Sequence, residues 1–186
     1  MRIGIITPLF PPDIAEPAPY CKTLATKLSF SETVTVLLYG SLPERAGSAD
    51  FTCVPKRQLT TLRIIHFTIK LFRTAKQNDV LLVQNGPSAE LPTLLVSLIT
   101  TTPIILTLSD PRVDTKNSGA LYTLIHKKLK ARATVCISFT DEEREYLTKP
   151  EIHPLRKPPE AELRQYEKAW KEHTQTLIKH IHHVTT

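Results

Sequence analysis

Apolar runs of five or six residues alternate along the chain with longer stretches in which apolar positions recur every three or four residues. This alternation predicts a parallel sheet wound with crossover helices. The first run, Arg2 to Thr7, is almost wholly apolar, as a strand covered on both faces must be, and the prolines between Pro8 and Pro19 cannot continue it. The pattern places strands near 2–7, 33–38, 51–54, 79–84, 103–108 and 133–138, and helices near 18–29, 58–77, 89–100, 118–131, 140–147 and 159–182. Thr140 followed by Glu143 predicts a capping box for the helix at 140–147. The expected fold class is α/β: a single Rossmann-like, doubly wound parallel sheet with helices on both faces and a long C-terminal helix packed back on the domain. Residues 1–148 form the sheet domain, and 149–159, KPEIHPLRKPP, form an extended proline-rich connector. Residues 160–184 form the last helix, which is expected to bury Tyr166, Trp170, Leu177, Ile178 and Ile181 against the sheet's flank.

The length of 186 residues suits one full α/β domain and not two. Apolar residues at 41% and charged residues at 23% are ordinary globular values and exclude a largely disordered chain. The longest apolar stretches, such as Leu91 to Ile99, are interrupted by Pro or Ser well short of a membrane span, so no transmembrane helix is predicted. The opening segment lacks a basic region followed by an apolar run and a cleavage site, and a cytoplasmic location is expected. Cys21, Cys53 and Cys136 are widely spaced and fall inside predicted elements, which suits reduced, buried thiols. A net charge of +6 favours an anionic partner. The basic residues are dispersed and no RNA-binding aromatic set is present, so nucleic acid is disfavoured against a membrane surface or a phosphorylated ligand.

Four segments of the first 150 residues carry a family resemblance. The opening, MRIGIITPLFPPDIAEPAPYCKTLATKLS, resembles the start of the family-4-like glycosyltransferases of the GT-B fold, where a strand, the words PxFPPxxGG and a helix beginning near a Tyr follow one another. Pro8, Pro11, Pro12, Pro17 and Tyr20 keep that pattern, while Ala15 and Glu16 stand in place of the glycine pair. The run DVLLVQNGPSAELPTLLVSLITTTP, Asp79 to Pro103, is similar to the family's central strand, NGP turn and following helix. PIILTLSDP is similar to the strand that ends in a His-Asp or Gly-Asp pair facing the cleft, here Ser109 and Asp110, and ATVCISFTDEEREYL resembles the segment that places a serine, here Ser138, at the end of the first domain. The resemblance covers about the first 150 residues and implies an N-terminal, Rossmann-like domain. It also implies a second, donor-binding domain, for which this chain leaves no room, and a terminal crossover helix, which YEKAWKEHTQTLIKHI resembles. A nucleotide sugar is then expected as ligand only where a donor-binding partner is supplied, and no other cofactor is expected.

The cleft candidates are therefore Ala15, Glu16, Tyr20, Asn85, Gly86, Ser88, Ser109, Asp110 and Ser138. Glycines in the first loop would allow close backbone approach to a phosphate, whereas Glu16 places a negative charge that repels one. Asp110 follows a strand's carboxyl end, where it would orient a sugar hydroxyl, but Asp-Pro is equally a turn signal. Neither a Walker loop nor GxGxxG is present, no Ser, His and Asp grouping has a catalytic spacing, and no catalytic residue is assigned. His173, His180, His182 and His183 do not make a metal site, since only His180 and His183 share a helical face; they are read as frayed and solvated.

In LRIIHFTIKLFRTAK, Leu62 to Lys76, steps of about 100° per residue bring Arg63, His66, Lys70 and Arg73 onto one arc and cover most of the rest with apolar side chains. No acidic residue lies between Phe51 and Gln77. Such a helix either lies in the interface of an anionic membrane or is a core helix with a solvated cationic stripe. Function follows as three expectations. The first is a non-catalytic or conditionally active acceptor- and membrane-side module, peripheral at the inner face of the membrane. The second is the N-terminal subunit of a split glycosyltransferase completed by a separate C-terminal domain, and the third is a homodimeric scaffold.

Overall fold

A computed structural model describes residues 1–13, 17–108, 119–148 and 159–185. Six parallel strands form one sheet: β1 (Arg2–Thr7), β2 (Thr33–Tyr39), β3 (Asp50–Val54), β4 (Val80–Gln84), β5 (Ile104–Leu108) and β6 (Val135–Ser138). Their order is β3-β2-β1-β4-β5-β6, so the winding reverses between β1 and β4. The helices are α1 (Pro17–Leu28), α2 (Thr60–Gln77), α3 (Pro87–Ser97), α4 (Ala120–Arg132), α5 (Asp141–Leu147) and α6 (Glu160–Thr185). Every expected element is present, and the fold is the doubly wound α/β sheet read from the sequence. The connector at 149–159 lies almost wholly outside the described residues.

The sheet separates two apolar layers, and the strand alternation decides which side chain enters which. Ile3, Ile5, Val36, Leu82 and Ile105 face α1 and α6, where Leu24, Leu28, Trp170, Leu177 and Ile181 meet them. Ile6, Leu37, Leu81, Val83 and Leu106 face α2, α3 and α4, which contribute Phe67, Leu71, Val96 and Leu129. Gly4 lets β1 pack closely: a Cβ there would stand 2.8 Å from Leu81 Cδ2 and 3.2 Å from Thr74 Cγ2, so these side chains would have to shift. Arg2 closes the amino edge on Asp79 through both its backbone amide and its guanidinium, at 2.8 and 2.7 Å. Those hydrogen bonds hold the Asp79 carboxyl below the usual carboxylate range.

Two expectations change at the edges. Cys21 is buried as read, but Cys53 is half-buried and Cys136 exposed, because β3 and β6 are the outermost strands and are covered incompletely. The last helix docks through Trp170, His173, Leu177 and Ile181 at helical spacing, with Tyr166 and Ile178 only flanking it. His173 is therefore buried in the core rather than solvated.

Candidate functional site

The winding reverses between β1 and β4, and the carboxyl ends of these strands are the position where open α/β sheets bind ligands. The side chains there are polar and closely tied. Thr7 Oγ1 donates to Leu9 O at 2.6 Å and lies against the Gln84 side-chain oxygen, which also accepts from Cys21 Sγ at 3.1 Å. Burial pushes the Cys21 thiol up to about 12, so it stays protonated and is no nucleophile. Asn85 is buried beside this group, and its amide donates to Thr107 O at 3.0 Å.

The turn that follows is built by glycine and two prolines. Gly86 has φ +146°, a conformation that suits glycine, and an added Cβ would stand 3.6 Å from Pro8 Cγ. Pro87 opens α3, where no amide donor is needed, so the helix starts two residues before the expected 89. Pro92 lies inside the helix and cannot donate to the Ser88 carbonyl; the Tyr39 hydroxyl takes that acceptor at 3.0 Å. Ser88 thus enters the site through its backbone, as the anchor between β2 and α3.

Glu90, absent from the sequence candidates, is the buried charge behind this turn. Its carboxylate accepts from Gly86 N at 3.0 Å, Tyr122 Oη at 2.9 Å and His126 Nδ1 at 3.0 Å, so one fully buried side chain joins the turn to α4. The imidazole must present its Nδ1 proton to the carboxylate, which fixes its orientation. A lone acid in the otherwise apolar run PSAELPTLL was the available signal.

Tyr20 is not a cleft residue. It is buried, stacked on Trp170 at a centroid distance of 5.6 Å, edge-on to Phe139 at 5.1 Å, and hydrogen-bonded to His173 at 3.0 Å. The cause is α6, which covers the start of α1 and removes Tyr20 from solvent. Burial raises the Tyr20 hydroxyl well above its ordinary value and lowers His173 to about 4, the latter against a smaller opposing pull from Glu143. Ser138 is exposed at the end of β6. Ala15, Glu16, Ser109 and Asp110 lie outside the described residues. Of the cleft candidates, Asn85, Gly86 and Ser88 are therefore brought together, and Tyr20 is removed.

On α2 the basic arc is only partly solvated. Lys70 Nζ donates to Cys53 O at 2.6 Å, and Arg63 sits over the Tyr39 ring at 5.4 Å, while His66 and Arg73 are exposed. The apolar arc is wider than the core can cover. Phe67 and Leu71 are buried, but Leu62, Ile65 and Ile69 face outward, joined by Leu95, Leu98 and Ile99 at the end of α3 and by Leu121 and Leu124 on α4. These three helices carry one acidic residue, Glu90, and it is buried. Among the described residues no helix is long and apolar enough to cross a membrane, and no cluster of three His, Cys, Asp or Glu side chains forms a metal site.

No protein-family model and no curated protein sequence matches the chain. Solved structures do match it. A putative UDP-N-acetylglucosamine 2-epimerase from Listeria monocytogenes superimposes with TM-score 0.55 at 13% identity, over 77% of this chain and 41% of that one. The UDP-GlcNAc 2-epimerase from Methanocaldococcus jannaschii gives 0.51 at 12% identity, over 76% and 40%. A further UDP-N-acetylglucosamine 2-epimerase gives 0.55 at 15% identity, over 83% and 46%. The chain spans less than half the length of each, so the likeness concerns one half of a larger architecture. The chain accordingly shares the fold of part of these UDP-N-acetylglucosamine 2-epimerase structures.

Proposed function

We propose that this chain is a glycosyltransferase-like module that sits on the acceptor side of sugar transfer and docks on an anionic membrane, with no or only conditional activity of its own. One observation carries the reading: the outer layer formed by α2, α3 and α4 exposes leucines and isoleucines together with Arg73, Lys76, Lys127 and Lys128, and presents no exposed carboxylate. Apolar side chains enter the acyl boundary while the cations meet lipid phosphates, each worth about 1 kcal/mol near the surface. A second copy would bring like charges together across the same face, which disfavours the homodimer.

Co-sedimentation with phosphatidylserine-containing vesicles tests the reading. Binding is expected to weaken with salt and to fall several-fold in Arg73→Glu/Lys76→Glu, both exposed positions, and in Ile65→Asp. Binding to neutral vesicles alone, or unchanged binding by these variants, overturns it. Asn85 and Gly86 at the carboxyl end of β4 favour one other reading, the N-terminal subunit of a split glycosyltransferase. That reading requires a donor-binding partner with which the chain hydrolyses or transfers from a nucleotide sugar, and it fails if no pairing confers nucleotide-sugar binding by calorimetry.

A further inference from the structure

A cavity of about 320 Å³ lies between the proline loop after β1 and the turn after β2. It falls at the small end of ligand sites, about 300–1,000 Å³. Its walls are apolar, from Phe10, Pro11, Leu38, Leu42 and Pro43. One cation lines it and a second packs on its Tyr39 wall. Lys56 Nζ lines the cavity and meets both Asp13 carboxylate oxygens, at 2.7 and 2.6 Å. Arg63 lies over the ring of Tyr39, another wall residue, and makes one long hydrogen bond of 3.4 Å to the Lys56 carbonyl. Its Nε has no hydrogen-bond partner among the described residues, so this guanidinium has more donors than acceptors. Among the described residues, Lys56, Arg57 and Arg63 at and beside the cavity outnumber Asp13, and Glu44, next to the lining Pro43, is paired with Lys22.

The surroundings indicate what enters. Leu42, 82% exposed, forms a lip of the cavity, and Leu59 and Leu62 are exposed in the segment that leads into Arg63. The Arg63 hydrogen bond to Lys56 brings this apolar start of α2 near the Lys56 side of the cavity. A free sugar would leave its hydroxyls against proline and leucine, and an inorganic anion would gain nothing from those walls.

We propose that this cavity holds the hydrocarbon chain of a single-chain anionic amphiphile, with its phosphate head at Lys56 and Arg63. The proposal rests on the membrane reading for the source of such a ligand, but the binding itself does not require a vesicle. The chain fills the space between the two loops, and the head competes with Asp13 for Lys56 while supplying the acceptors that Arg63 lacks.

Calorimetric titration of the full chain with monomeric alkyl phosphates tests it, using inorganic phosphate and octyl glucoside as references. Octyl phosphate is expected to bind saturably, at least ten-fold tighter than either reference. Two added methylenes at about 0.8 kcal/mol each make it roughly ten-fold tighter than hexyl phosphate. Leu42→Asp, at an exposed position that does not threaten folding, and Arg63→Gln should each weaken octyl phosphate ten-fold or more. Equal affinity for inorganic phosphate, equal affinity for octyl glucoside, or no saturable binding of octyl phosphate overturns the proposal. Vesicle binding without octyl phosphate binding would sink this inference and leave the membrane reading standing, and the converse would do the reverse.

Discussion

The hydroxyl of Tyr20 and Nε2 of His173 lie 3.0 Å apart, tying the first turn of α1 to the middle of α6 across 153 positions of sequence. Both side chains are buried, so neither can exchange this partner for water. Tyr20→Phe leaves the imidazole nitrogen unsatisfied and should cost about 1–3 kcal/mol in urea unfolding. Trp170→Ala, which empties the stacked position beside it, should cost about 3–5 kcal/mol.

The same imidazole makes stability depend on pH. His173 titrates at about 4 when folded, against an ordinary value of 6.5, because burial disfavours its charged form. Between those values the unfolded chain binds a proton that the folded chain refuses, so stability is constant above the upper value and falls as pH drops through the window. The total loss is about 3 kcal/mol at the lower end. Urea midpoints measured at steps from neutral pH down to the lower value should follow this slope, and His173→Gln should flatten it.

Glu90 predicts a different pair of results. Glu90→Ala removes the acceptor for the Gly86 amide, the Tyr122 hydroxyl and His126 together, and should destabilise by about 2–4 kcal/mol through the stranded donors. Glu90→Gln keeps an acceptor oxygen and should cost less than half as much. Glu90→Met, measured beside them by denaturant titration, separates hydrogen bonding from space filling: it fills the site without an oxygen acceptor and should cost nearly as much as Glu90→Ala, whereas a space-filling role would make it as mild as Glu90→Gln.

Gly86→Ala should destabilise by about 1–3 kcal/mol, since φ of +146° strains any side-chain-bearing residue. The cost should appear as a lower midpoint in thermal unfolding.

The sheet was legible because its strands are covered on both faces: runs such as RIGIIT and VLLVQ have no alternation to misread, and the capping box of Thr140 and Glu143 announced the start of α5. The stripe Trp170, Leu177 and Ile181 was readable by the same periodicity. Other features depend on distance through space. Tyr20 stood beside a resemblance to a cleft, yet α6 decides that it is buried; His173 stands on the same helical stripe, three residues after Trp170 and four before Leu177, and its polarity outweighed that spacing in the sequence reading. Cys136 shows the opposite limit, since a cysteine in a strand is buried only when that strand is not at the sheet edge. Glu90 pairs with Tyr122 and His126 from another helix, and a single acidic residue in an apolar run names a buried charge without naming its partners. For α2 the sequence left membrane contact and core packing open; Phe67 and Leu71 are in the core, and Ile65 and Ile69 point away from it.

The proposed docking lays the α2, α3 and α4 layer on an anionic bilayer. Methyl NMR of the chain with phosphatidylserine vesicles carrying a spin-labelled lipid tests it most directly. Signals of Ile65, Ile69, Leu98 and Ile99 should broaden, while Leu163, exposed on α6 at the opposite face, should keep its intensity. Equal broadening of Leu163 and Ile65, or no broadening at any of these methyls, would contradict the account.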